Sequence, residues 1–314
     1  MQRLESPLTS PPFLNVTHRY RMQTPISSVL VVGAGWNGRQ VAAQCAAHGI
    51  RTYLADCRHE VTLEAVRWSS GYVSERVAER TWPEETIEKC RDLLVATEMS
   101  DIGGLSVDLA IECVHEQVSS KRRILRDLSA LLPESTVIAS NSSYFTPSML
   151  SKFVEHPQRF AHFHFHSPVW SASIVDIILG PEANPQLSPR LEMLAKQIGQ
   201  TPIVQTVENP GYIFNWILQG MLKSSLELVD RQVATPENIE LSWKKITGMS
   251  VGPFGLMDLI GIDLIHQVLS NARWLGNYDE TQKLIDILQP WLDRGELGVK
   301  TGQGFFDYSS SELK

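Results

Sequence analysis

Ser28-Val-Leu-Val-Val-Gly-Ala-Gly-Trp-Asn-Gly-Arg-Gln-Val-Ala42 is an apolar, β-branched run that breaks into Gly33-x-Gly35-x-x-Gly38 and resumes at helical spacing. The pattern predicts a strand, a tight turn and a helix. The first glycine permits the turn, the second lets a pyrophosphate approach bare backbone, and the third lets the helix pack close to its strand, with the helix N-terminus facing the phosphates. Trp36 and Asn37 lie in the same loop and are read with the three glycines as cofactor-binding. The motif alone does not separate a ligand loop from a plain strand-turn-helix, so the next strand matters. Ile50-Arg-Thr-Tyr-Leu-Ala ends in Asp56, 18 residues past Gly38 and 23 past Gly33. A carboxylate there accepts ribose hydroxyls and favours NAD over NADP, because a 2′-phosphate would meet a like charge. Arg58, two residues on, offsets part of that charge.

The 314 residues are enough for two domains with separate cores. With 43% hydrophobic and 20% charged residues the composition is that of an ordinary globular protein, and a net charge of -7 argues against nucleic acid or an anionic membrane as main partner. Cys45, Cys57, Cys90 and Cys113 show no metal-type spacing, so reduced thiols, a cytoplasmic setting and no bound metal are expected. No apolar run approaches the roughly 18 to 20 residues of a membrane span. Residues 1–27, with Pro7, Pro11, Pro12 and Pro25 among polar residues, read as a disordered leader within which Met22 is a candidate start.

After Asp56 the periodicity is helical over Val61 to Ala78 and Pro83 to Leu94, interrupted at Gly71 and at Trp82-Pro83. Strand patterns return at Val95 to Thr97, Leu109 to Val114, Thr136 to Ser140 and Arg159 to Phe165, with a helix over Gln117 to Leu132. Two short apolar stretches, Ser173 to Leu179 and Pro202 to Thr206, flank an amphipathic helix over Ser188 to Ile198. Alternating strands and helices predict an α/β domain over 28–208, Rossmann-type and doubly wound on a mainly parallel sheet. From Asn209 the periodicity is helical throughout, so 209–314 reads as an all-α domain, with helices over Tyr212 to Gln232, Pro236 to Ile246, Pro253 to Ser270 and Glu280 to Asp293. Without a long linker near Glu208, the two domains are expected to share a cleft.

The ordered set Gly33-Ala-Gly-Trp-Asn-Gly38, Asp56, Ile111-Glu-Cys-Val-His-Glu116, Ala139-Ser-Asn-Ser-Ser143, His164-Phe-His-Ser-Pro168, Asn209-Pro-Gly-Tyr-Ile-Phe-Asn215, Gly252-Pro-Phe-Gly-Leu-Met-Asp-Leu-Ile-Gly261 and Lys300-Thr-Gly-Gln-Gly-Phe-Phe306 resembles the L-3-hydroxyacyl-CoA dehydrogenase family over residues 28 to 308. The resemblance implies NAD-dependent interconversion of a 3-hydroxyacyl thioester, a small-molecule substrate, and its 3-keto form. It also implies a helical second domain that makes a homodimer interface. A free 3-hydroxy acid as substrate, and a dinucleotide-binding protein without turnover, are the alternatives.

On this resemblance His164 is the general base, a role that suits imidazole because its pKa lies near working pH. Strand alternation places His162, His164 and His166 on one face, so burial of any of them as a satisfied core histidine is the competing reading. Asp176 stands where the family has the glutamate that orients the base, one methylene shorter. Glu116 and Lys121 match positions near the nicotinamide and its ribose, although a surface ion pair at a helix start explains them equally. Asn141, just past a strand end, is counted with the cofactor site. Ser143 and Asn215 match positions that hydrogen-bond the substrate oxygen and thioester. Ser167 replaces the family's asparagine before proline and is assigned to substrate, while Trp170 to Ser173 departs from the usual apolar and basic run. Cations for coenzyme A phosphates would come from Arg67, Arg76, Arg80, Lys89 and Arg91, interleaved with glutamates. Trp68, Trp82, Trp170, Trp216 and Trp243 either narrow the acyl pocket or serve as core.

Overall fold

The computed structural model describes residues 25–272 and 278–309. The leader reading over 1–27, apart from its last three residues, and Met22 therefore lie outside the described residues. The chain folds as two compact units that divide between Glu208 and Asn209.

The first unit is built on one eight-stranded sheet in the order β3-β2-β1-β4-β5-β6-β7-β8. The strands are β1 Ser28–Val32, β2 Arg51–Ala55, β3 Leu94–Thr97, β4 Leu109–Glu112, β5 Val137–Ser140, β6 Phe160–Phe165, β7 Ile174–Leu179 and β8 Thr201–Gln205. Its helices are α1 Trp36–Ala47, α2 His59–Ala78, α3 Glu85–Leu93, α4 Val118–Leu131, the short α5 Pro147–Leu150 and α6 Val169–Ala172, and α7 Leu187–Gln197. β1 shows why this stretch decides the fold: Val29 and Val31 belong to one core and Leu30 and Val32 to another, so both faces are covered. A strand buried on both faces reads as a continuous apolar run rather than an alternating one. The small side chains of α1, from Val41 to Ala47, are all buried and let that helix lie close to the sheet.

Every strand pair is parallel except β6 with β7. The reason is local. A parallel partner needs a crossover of a dozen residues or more, and the link through α6 is too short for one. The reversal sets His164 of β6 directly opposite Asp176 of β7 in the strand register. The order also reverses beside β1, whose neighbours are β2 and β4, and the carboxyl ends of these strands form the crevice where such sheets take their ligands.

The second unit comprises α8 Phe214–Asp230, α9 Pro236–Thr247, α10 Pro253–Ile260, α11 Ile262–Ala272 and α12 Tyr278–Arg294. Its core gathers Leu222, Leu226, Phe254, Met257, Ile262, Ile265, Leu284, Leu288 and Phe305. The single helix expected over Pro253 to Ser270 is two, because Gly261 adopts φ +100° between them, a backbone conformation that only glycine adopts readily. Conversely Gly71 does not interrupt α2, which runs through it.

Two buried carboxylates hold this unit together. Glu240 of α9 accepts hydrogen bonds from the backbone N–H groups of Gly252 (2.6 Å), Phe254 (3.1 Å) and Gly255 (3.1 Å), capping α10 from outside. Asp258 of α10 accepts from Phe305 N (2.9 Å), Phe306 N (3.0 Å) and Tyr308 Oη (3.0 Å), fastening the tail to the helices. The Gly252-to-Gly261 and Lys300-to-Phe306 motifs therefore serve this packing. Glu240→Ala strands three donors, so the expected cost is at least about 1 to 3 kcal/mol, read as a lower denaturant midpoint. An unchanged midpoint would contradict the assignment.

Candidate active site

The glycine loop leaves β1 with Gly33 at φ +107°, where a Cβ would lie 2.5 Å from the Cys113 carbonyl oxygen. A Cβ on Gly38 would meet the Gly33 carbonyl oxygen at 1.7 Å. These two glycines are required by the protein's own packing. Gly35 differs: it is exposed, it stands at the N-cap of α1 with no side-chain cap, and a Cβ there would meet nothing within 4 Å. Bare backbone facing open space at an uncapped helix start fits a pyrophosphate. Asp56, at the end of β2, is tied to this loop because its Oδ2 accepts from Ala34 N at 2.9 Å while Oδ1 accepts from Arg58 N at 3.1 Å. Trp36 is 56% exposed and meets Trp68 edge-on at 5.8 Å, and Asn37 is half-buried beside it.

The His164 imidazole is buried, and its Nδ1 lies 3.0 Å from Asp176 Oδ2. An ionised carboxylate only accepts, so Nδ1 carries the proton and Nε2 keeps its lone pair. Burial pulls the His164 pKa below its ordinary value, and the hydrogen bond to Asp176 opposes this without reversing it. For Asp176, burial works upward but the hydrogen bonds from His164 and His166 outweigh it, holding the carboxyl at about 2. The shorter side chain at 176 thus reaches its histidine directly. His166, absent from the predicted site, places Nε2 2.8 Å from the same Oδ2, and Gln205 donates to Oδ1 at 3.3 Å. The three histidines do share a face, and the rings of His164 and His166 lie 4.7 Å apart. His162 is wholly buried, and burial, Lys121 and His164 together push its pKa well down, so it is the core histidine of the three.

Glu116 and Lys121 do not form a surface pair. Lys121 is 1% exposed, and its ammonium lies 2.8 and 3.0 Å from the two Glu112 oxygens and 3.0 Å from Glu116 Oε2. Burial alone would lower the lysine pKa, but the two carboxylates outweigh it and the net shift is upward. Three acceptors occupy its three N–H groups, so Lys121 positions Glu116. Glu116 also accepts from the Ser142 hydroxyl and from Tyr144 N at 3.2 Å, and its side chain remains 33% exposed. Glu112, buried, additionally accepts from Ser140 Oγ at 2.6 Å and Val114 N at 2.8 Å. Sequence reading passed over Glu112, although a carboxylate at the end of an apolar strand followed by a lysine on the next helix is a signal for such a pair.

Asn141 Oδ1 accepts from Phe165 N at 2.8 Å, which fixes the carboxyl end of β6 one residue from His164. Ser143 is half-buried after β5, and Ser167 is exposed after β6. Asn215 is half-buried in the first turn of α8, in the second unit. The segment after Pro168 is anchored by two buried glutamines that sequence reading also missed: Gln40 Oε1 accepts from Val169 N at 3.0 Å and Gln200 Nε2 donates to Val169 O at 3.1 Å. Trp68, Trp82 and Trp170 pack against the core of the first unit. Trp216 is exposed and Trp243 half-buried. Of the cations proposed for coenzyme A, Arg76 pairs with Glu79 at 2.9 Å and lies over the Trp170 ring at 4.9 Å. Lys89 pairs with Glu85 and Arg91 with Asp92, while Arg67 and Arg80 are exposed.

The loop geometry separates two substitutions. Gly35→Ala is expected to leave the unfolding midpoint unchanged and weaken dinucleotide binding by at least about tenfold, since a methyl group occupies the space of a phosphate contact. Gly38→Ala is expected to lose at least about 1 to 3 kcal/mol of stability. Calorimetry with and without NAD reads both. Equal destabilisation by the two would contradict the assignment.

Comparison with known proteins agrees with this geometry. Residues 28–208 match the model for the 3-hydroxyacyl-CoA dehydrogenase NAD binding domain, and residues 211–308 match that of the same family's C-terminal domain. The chain is 28% identical over 292 residues to 3-hydroxyadipyl-CoA dehydrogenase of Escherichia coli, covering 91% of this chain and 60% of that longer protein. It is also 28% identical to 5-formyl-3-hydroxy-2-methylpyridine 4-carboxylate 5-dehydrogenase of Mesorhizobium japonicum, with 92% and 93% of the two chains covered. The crystal structure of (S)-3-hydroxybutyryl-CoA dehydrogenase from Ralstonia eutropha superposes with a TM-score of 0.81 at 26% identity, over 91% of this chain and 100% of the other. The reading as a dinucleotide-binding protein without turnover is set aside by the family match and these relatives. The chain belongs to the 3-hydroxyacyl-CoA dehydrogenase family and is an NAD-dependent oxidoreductase acting on the hydroxyl group of a small molecule.

Proposed function

We propose that the protein interconverts an L-3-hydroxyacyl thioester, carried on coenzyme A, and its 3-keto form. The observation that carries this reading is the Asp176-held imidazole of His164, whose Nε2 keeps its lone pair. In the oxidising direction Nε2 takes the hydroxyl proton while the C3 hydrogen leaves as hydride; bound NAD⁺ supplies the acceptor for that hydride. Asp176 stays ionised throughout and stabilises the imidazolium that forms. In reduction His164 returns the proton to the 3-oxygen.

The cofactor is held by Gly33, Gly35, Trp36, Asn37, Gly38 and Asp56. Glu116, held by Lys121, would take the nicotinamide ribose, and Asn141 acts by fixing β6 beside the base. Ser143, Ser167 and Asn215 hydrogen-bond the substrate. A hydroxyl at 167 reaches less far than a carboxamide, so the segment from Ser167 to Ser173 gives the acyl pocket its own selectivity. The second unit serves substrate binding and pairing of two copies. Exposed Phe214, Trp216 and Ile217 on α8 and Leu241 and Ile246 on α9 support a homodimer through the helical domain. The four cysteines are free thiols, which fits a reducing cytoplasm, and no described helix is long and apolar enough to cross a membrane.

A second reading, oxidation of a free hydroxy acid, is favoured by the Mesorhizobium relative, whose name specifies a pyridine carboxylate. Purified protein mixed with acetoacetyl-CoA and NADH is expected to consume NADH, followed at the nicotinamide absorbance, with no comparable turnover of free 3-hydroxy acids and NAD⁺. Because the His164 pKa is lowered, the acid limb of kcat/KM for oxidation is expected to have its midpoint below pH 6.5. Turnover of free acids without turnover of any thioester would replace the first reading with the second.

A further inference from the structure

We propose that His164, His166 and Asp176 also form a binding site for a divalent transition-metal ion of the zinc type, and that an ion bound there switches the enzyme off. The switching half of this inference rests on the reading of His164 as the base; the metal site itself does not.

His164 of β6 and His166, the residue just past the end of that strand, both reach Asp176, which stands directly across from His164 on β7. One ligand atom from each of the three residues lies within 4.8 Å of the others, and His164 Nδ1 and His166 Nε2 are the nitrogens that face Asp176. Among the described residues no other group of three histidine, cysteine or carboxylate side chains brings its ligand atoms so close. The two nitrogens are 3.0 and 2.8 Å from the same oxygen. A tetrahedral ion with bonds near 2.0 to 2.1 Å separates its ligands by roughly 3.3 Å, so the two nitrogen–oxygen separations need open by only a few tenths of an ångström, and the imidazoles turn to bring their nitrogens to the same spacing. Two imidazoles and one carboxylate suit zinc and its neighbours in the transition series; magnesium and calcium take oxygen ligands instead. Gln205 Nε2 already holds the other carboxylate oxygen, the kind of supporting bond that orients a metal ligand.

A neutral imidazole carries one N–H. Coordination through Nδ1 of His164 moves that proton to Nε2, and the nitrogen that must receive the substrate proton becomes a donor. His166 makes the opposite exchange, from Nε2 to Nδ1. No proton is gained or lost overall, and the metal-bound and proton-accepting states of His164 exclude each other. The site escapes a search for metal spacing in the sequence because the third ligand comes from another strand.

The test uses the full chain and Co²⁺ as a spectroscopic probe. Titration is expected to develop visible d–d bands of a four-coordinate ion, without thiolate charge transfer, saturating at one ion per chain. Zn²⁺ is expected to displace Co²⁺ and abolish turnover, with EDTA restoring it. His166→Phe and His166→Gln should each weaken Co²⁺ binding by more than about tenfold, a modest demand for a lost ligand given what a supporting partner is worth; NAD binding checks that each variant is folded. If one variant does not fold, the other and the wild-type spectrum decide. Absence of the bands in the wild type, or unchanged bands in a folded His166 variant, would overturn the metal site. Bands with no effect of Zn²⁺ on turnover would overturn the switch. Metal binding by a protein that turns over no thioester would leave the site standing and count against the proposed reaction alone.

Discussion

The Asp176 carboxylate receives two imidazoles across the single antiparallel strand pair of the sheet, and the chemistry proposed for the first unit depends on that junction. A histidine taken out of water on a β-strand would ordinarily be a neutral side chain with either nitrogen protonated. The ionised carboxylate opposite it removes the choice. Because β6 and β7 are joined by a link too short for a crossover, the two strands must run antiparallel, and the register then makes His164 and Asp176 direct neighbours. Topology and tautomer form one chain of causes, and the proposed proton transfer rests on it. In this arrangement an aspartate suffices at position 176, since a cross-strand neighbour needs no extra methylene to make a 3.0 Å contact.

Around this junction the buried polar groups divide the labour. Lys121 joins Glu112 to Glu116 inside the protein, where burial penalises each charge and mutual neutralisation offsets it. Asn141 fastens the backbone beside His164, and Gln40 and Gln200 hold the two backbone polar groups of Val169 just after Pro168. In the second unit Glu240 and Asp258 perform comparable service for helix ends and tail. Several residues that a motif search would count as functional are thus held in place by structure, and they act through the residues they position.

The parts legible in the sequence are those encoded by periodicity and by glycine. The run from Ser28 to Val32 showed a strand, the three glycines the tight turn into a closely packed helix, and Asp56 the end of the next strand. The strands from β3 to β8 and most helices follow their apolar spacing closely. Gly261 was misjudged because apolar spacing continues through it while its backbone does not. The surface-pair alternative for Lys121 fails because a lysine five residues from a glutamate looks solvated until the tertiary fold supplies Glu112 on the neighbouring strand. His166 and Gln205 escaped for the same reason: their importance comes from Asp176, a residue brought to them only by strand pairing.

The claim on which the account turns is that Asp176 holds His164 with its proton on Nδ1. Replacing Asp176 with asparagine keeps size and hydrogen bonding but allows the amide to donate, which favours the wrong tautomer. Steady-state oxidation by Asp176→Asn, measured alongside NAD affinity and unfolding midpoint, is the direct test. The expected result is a fall in kcat of roughly 10² to 10⁴-fold with NAD affinity retained. A folded Asp176→Asn enzyme with the kcat of the wild type would contradict the account.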